Sequence, residues 1–114
     1  MVDNENVCEA CSPDAKSASK ESILKFVDEF KAWELSEDVE FPQLKRVFKF
    51  QNFSDAQIFA NKVAELADKQ GHHPSILLEY GKVTVRWWSQ KIMGLHQTDI
   101  DMSVQTELSY NENT

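Results

Sequence analysis

Two adjacent histidines, His72 and His73, are the residues of this chain best suited to chemistry. Imidazole is the one side chain that ordinarily gives and takes protons near neutral pH. The pair stands in Gly71-His72-His73-Pro74, where Pro74 stiffens the backbone that aims it. A general acid, a general base, or one of each is the chemistry such a pair offers. Taken alone, adjacent histidines in a loop also suit an ordinary protein surface, so the pair needs support from its surroundings.

Cys8 and Cys11, spaced as Cys-Glu-Ala-Cys, are the other ligand-type residues. With the two histidines they would make four zinc-ligand side chains. Structural zinc sites separate paired histidines by several residues, however, and neighbours in extended backbone point to opposite faces. No metal site is expected, and in a reducing compartment the two thiols are expected to stay unbridged. Trp87-Trp88 could stack on bases or sugars. Strand alternation sends the two indoles to opposite sides, so one is expected in the core and the other under a helix or a partner subunit.

The elements that must position these residues follow from apolar spacing. Residues 1–18 carry hardly any large apolar side chain and cannot repay the entropy of ordering, so they read as a flexible polar leader before a single domain over 19–114. From Ser19, a cap residue, Ile23, Phe26, Val27 and Phe30 recur at helical spacing. Two short strands are expected next, around Trp33-Glu34-Leu35 and over 44–50. In the second, Phe48 and Phe50 share one face, and Lys45, Val47 and Lys49 the other. Ser54 with Gln57 reads as a capping box, with Phe53 stapled onto Ile58, opening a helix whose buried stripe is Phe59, Val63, Leu66 and Ala67 and which ends at Gly71. Residues 76–80 and 82–91 read as a hairpin turning at Gly81, with Val83, Val85 and Trp87 on one face and Thr84, Arg86 and Trp88 on the other. A last helix, capped near His96 or Thr98, spaces Ile100, Val104 and Leu108 four apart, and its acidic residues Asp101 and Glu107 read as solvated surface. The order α-β-β-α-β-β-α implies an α+β two-layer sandwich, a four-stranded antiparallel sheet with helices packed on one face.

Read with these surroundings, the histidine pair gains a context. Asp68, three residues, His72-His73-Pro74, five more residues and the aromatic Tyr80, with Asp99 beyond, resembles the signature of pterin-4a-carbinolamine dehydratases. Trp33, Phe50-Gln51-Asn52-Phe53, Gly81-Lys82-Val83, Trp87-Trp88-Ser89 and Gly94-Leu95-His96 look like bacterial members, as does Cys8-Glu9-Ala10-Cys11. The resemblance implies a lyase that removes water from a 4a-hydroxytetrahydropterin, giving the quinonoid dihydropterin and so recycling the pterin of aromatic amino-acid hydroxylases. It implies no metal or redox cofactor. By resemblance His72 and His73 move protons and hold the ring, Asp99 fixes the site, and Trp33, Asp68, Pro74 and Tyr80 help to bind substrate.

One position departs from that signature. With nine residues between it and Tyr80, the signature carries a third histidine, or sometimes Trp; here it is Gln90. A glutamine amide can hydrogen-bond the ring or the departing hydroxyl but cannot donate a proton as an imidazolium does. The expectation is a weakened enzyme using His72, His73, Gln90 and Asp99, with His96 the nearest spare imidazole. The alternative is a pterin-binding relative of low or no activity that supports a hydroxylase or regulates a partner.

Composition bounds the rest. The 114 residues suffice for one core, and 41% hydrophobic with 27% charged residues is globular composition. A net charge of −7 without a basic cluster opposes binding to a phosphate backbone. Residues 1–13 have neither a basic n-region nor an apolar h-region, and no stretch is apolar enough to span a bilayer. A cytoplasmic protein is expected, working as a homodimer or homotetramer, with no nucleic-acid or membrane partner.

Overall fold

Ser19 opens the first element, as its residue type suggests. In the computed structural model, which describes residues 16–37 and 40–112, the Ser19 hydroxyl accepts from the Ser22 amide at 3.1 Å and starts α1 (Lys20–Glu29). β1 (Glu34–Ser36), β2 (Gln43–Lys49), α2 (Phe53–Gln70), β3 (Ser75–Glu79), β4 (Lys82–Trp87) and α3 (Gln97–Asn111) follow. The expected leader lies outside the described residues except for 16–18, where the Ala18 amide donates to the Leu95 carbonyl at 2.6 Å. Cys8 and Cys11 also lie outside. No helix among the described residues is long and apolar enough to cross a membrane.

The four strands form one antiparallel sheet in the order β1-β2-β4-β3, with Leu44 opposite Trp87, Phe48 opposite Val83 and Ile76 opposite Val85. Those residues make the face that receives the helices. Leu44, Phe48, Val83, Val85 and Trp87 are fully buried there with Phe59 and Val63 of α2. The expected α+β two-layer sandwich and element order are therefore what the chain forms. Gly81 turns the β3–β4 hairpin at φ 72°, a backbone region that β-carbons disfavour.

Four local expectations need correction. α2 is capped by Asn52, whose Oδ1 accepts from the Asp55 amide at 2.7 Å, rather than by Ser54 with Gln57. Asn caps as well as Ser does, and extended backbone at Asn52 places its side chain over the first turn. The staple loses its place with that cap, since Phe53 becomes the first residue of the helix instead of the one before its cap, and Phe53 and Ile58 are 44% and 53% exposed. β4 ends at Trp87 instead of reaching residue 91, because the chain closes a short loop in which Ser89 and Gly94 pair backbone to backbone. That loop contains the 3₁₀ turn Gln90–Ile92.

The inward face of α3 is the fourth correction. It is partly polar: Asp99, Ser103, Thr106 and Glu107 are buried with Ile100 and Met102, while Leu108 is exposed. The hydroxyls of Ser103 and Thr106 donate to the Asp99 and Met102 carbonyls at 2.7 Å each, and Thr106 accepts from the Trp87 indole at 3.0 Å. Polar residues are thus buried with their hydrogen bonds made. Glu107 is no solvated acid, for it accepts from Trp33 Nε1 at 2.8 Å and from Arg46 Nε at 3.0 Å. Trp88, just past the end of β4, is half-buried against the core, and Phe41 of the loop before β2 lies 6.2 Å from its ring, so the same chain supplies part of the cover expected from a helix or partner.

Candidate active site

Three element ends converge on one buried carboxylate. At the first, α2 stops in a left-handed turn at Gly71 (φ 69°), where the Gly71 amide donates to the Asp68 carbonyl at 3.3 Å and the His72 amide to the Ala67 carbonyl at 3.2 Å. This is the Schellman pattern. It turns the His72 side chain under the helix, where it is 4% exposed, and leaves His73 outside.

The second end is that of β4. Trp87 stacks on the His72 ring at 5.6 Å with planes 26° apart, and Ser89 follows, almost wholly buried. The third is the start of α3. His96 is its N-cap, accepting the Thr98 amide at Nδ1 at 3.0 Å, and Asp99 is its third residue, accepting the His96 amide at Oδ2 at 2.9 Å. Side chain and backbone answer each other as in a capping box.

Asp99 is fully buried, and its charge is met by three donors. Oδ2 accepts from the His96 amide and from Ser89 Oγ at 2.6 Å, and Oδ1 faces His72 Nε2 at 2.6 Å. A buried carboxylate is tolerable when its oxygens are filled in this way. The nitrogen facing Oδ1 must then carry hydrogen, which fixes the tautomer of neutral His72 as Nε2–H. This is the histidine–carboxylate arrangement in which the acid orients the ring and stabilises it when protonated.

His73 stands outside this cluster with its side chain 63% exposed and Nε2 3.0 Å from Asp68 Oδ1, an acid 79% exposed itself. So exposed a pair is held weakly. Pro74 follows it, half-buried, and Gln90 lies exposed in the 3₁₀ turn next to Ser89.

Of the residues singled out in the sequence, the structure gathers His72, His73, Pro74, Asp68 and Asp99, with Gln90 on the adjoining loop. It sets two apart. Tyr80 is 75% exposed at the far end of β3, roughly 16 Å from Ser75 at about 3.3 Å per residue. Trp33 is in the core between Phe26 and Phe48, bonded to Glu107, which lies about 12 Å along α3 from Asp99. His96 is engaged by its cap. Ser89 and the stacking role of Trp87 were not foreseen: a serine two residues past a strand carries no signal of the acid it will bond.

The family model described as pterin 4 alpha carbinolamine dehydratase matches residues 16–108. A protein of Nitrosococcus oceani, provisionally named pterin-4-alpha-carbinolamine dehydratase, is 49% identical over 100 residues, covering 88% of each chain. One of Marinobacter nauticus with the same provisional name is 52% identical over 106 residues, covering 90% of this chain and 93% of its own. Among solved structures, a transcriptional coactivator/pterin dehydratase from Brucella melitensis superposes with a TM-score of 0.74 at 24% identity, over 83% of this chain and 99% of its own.

Proposed function

Because this chain belongs to the pterin-4a-carbinolamine dehydratase family, we propose that it removes water from 4a-hydroxytetrahydropterin through its histidine pair, in support of aromatic amino-acid hydroxylases. In that reaction the C4a–O bond breaks and the hydroxyl leaves as water, taking a proton from an imidazolium. A ring-nitrogen proton passes to a neutral imidazole, and the pair of electrons it leaves forms the C=N bond of the quinonoid product. One histidine is needed in each protonation state.

The observation that carries this reading is the 2.6 Å contact of His72 with the buried, triply bonded Asp99, next to a solvent-facing His73. His73 protonates the departing hydroxyl. His72 takes the ring-nitrogen proton, and the imidazolium so formed faces a carboxylate already in place. Gln90 supplies a hydrogen bond and no proton, which favours a slower enzyme over one with a third imidazole. The chain works in the cytoplasm as a homo-oligomer. β3 supports the second point: it is an edge strand whose middle, Ile76-Leu77-Leu78, is uncharged, and Leu77 is 54% exposed.

Dehydration of a synthetic carbinolamine, followed by stopped flow, tests the reading. Wild type is expected to exceed the buffer rate, His72→Ala and His73→Ala to lose about a hundred- to ten-thousand-fold in kcat, and Gln90→His to gain. If wild type matches buffer and Gln90→His restores turnover, the chain is instead a pterin-binding relative without activity of its own. A full rate in both alanine variants would remove the histidines from the mechanism.

A further inference from the structure

We infer that Ser89 is a positioning residue of the dehydratase site, locking the Asp99 carboxylate so that it presents Oδ1 to His72 and ties the Gln90 loop to the histidine pair. The inference rests on the function proposed above. Ser89 is 1% exposed, and its hydroxyl donates to Asp99 Oδ2 at 2.6 Å. The same oxygen takes the His96 amide at 2.9 Å. Two donors on Oδ2 from different directions fix rotation about the last side-chain bond, and so fix where Oδ1 lies. With the hydroxyl removed, a single backbone amide holds Oδ2 and the carboxylate can turn away from His72. Hydrogen bonds to ionised groups are the strong ones, and the order of donors around an acid decides the tautomer of its histidine.

The backbone of Ser89 does a second job. Its amide donates to the Gly94 carbonyl at 2.8 Å, and the Gly94 amide donates back at 3.3 Å, closing the loop of residues 89–94. Gln90, where the family signature carries a third histidine, follows Ser89 in that loop and opens its 3₁₀ turn. One residue therefore sets both the acid behind His72 and the start of the segment that carries Gln90. Trp87, two residues earlier, stacks on the His72 ring, so the strand end that supplies Ser89 also seats the imidazole.

The test compares wild type with Ser89→Ala and Ser89→Thr by kcat and KM, thermal melting and ¹⁵N spectra of the histidine rings. Ser89→Ala is expected to lower kcat about tenfold or more with KM little changed, the scale of losing a hydrogen bond to a charged group. The same variant should mix the His72 tautomers. Ser89→Thr keeps the hydroxyl and is expected to restore both rate and tautomer. A Ser89→Ala protein with wild-type kcat and an unchanged His72 spectrum overturns the inference. So does one that loses rate while the His72 ring stays Nε2–H, because the loss then runs by another route. Should wild type prove inactive, the functional reading falls alone, and the His72 spectrum of Ser89→Ala still decides the role of Ser89.

Discussion

Asp99 accepts from three donors with two oxygens, and an asparagine in its place has one oxygen to offer. Its amide nitrogen must face either His72 Nε2–H or the Ser89 and His96 donors, and each choice sets donor against donor. Asp99→Asn is expected to cut kcat by about a hundred- to ten-thousand-fold and to lower stability by about 1–3 kcal/mol. Stopped-flow dehydration and urea unfolding of the same sample measure both. At this scale the sequence was legible only in part. His72 and His73 stand out by type and Asp99 by family resemblance, but nothing in the spacing of residues 72, 89, 96 and 99 says that they meet. Polar networks assembled from element ends have no period, and only the fold brings them together.

Elements were easier to read, because their signals are local. Apolar spacing and caps placed α1 at Ser19, ended α2 at Gly71 and turned the β3–β4 hairpin at Gly81, all as observed. Errors arose where two residues competed for one role. Asn52 and Ser54 are both good caps two positions apart, and Asn52 wins because its extended backbone lets Oδ1 reach the Asp55 amide. Asn52→Ala is therefore expected to cost about 1 kcal/mol, whereas Ser54→Ala, an exposed site inside the helix, should stay within about 0.5 kcal/mol. Chemical denaturation of the two variants tells the caps apart, and equal losses would contradict the assignment. α3 misled for a different reason. Its inward hydroxyls satisfy themselves on carbonyls four residues back, so positions that look solvent-facing in the sequence are buried.

Across the whole molecule, α3 is held at two places with different consequences. Its first turn carries Asp99, and near its end Glu107 joins Trp33, which precedes β1, to Arg46 of β2, whose guanidinium also lies 4.3 Å from the Phe48 ring centre and 5.2 Å from that of Tyr110. Both side chains of the ion pair are nearly buried, 13% and 12% exposed. Removing the acid strands a cation and an indole N–H together, so Glu107→Ala is expected to destabilise the fold by about 3 kcal/mol. Glu107→Gln keeps an acceptor and should cost less. The two anchor points are about 12 Å apart along a continuous helix, and Asp99 is fixed by Ser89, His72 and its own cap without help from Glu107. At temperatures where the variants remain folded, kcat is accordingly expected to match wild type. Unfolding curves and carbinolamine turnover on the same preparations separate the two quantities. A fall in kcat that tracks the loss of stability would mean that the seating of α3 at its far end reaches Asp99, and that the site depends on the whole two-layer packing and not on its own three element ends.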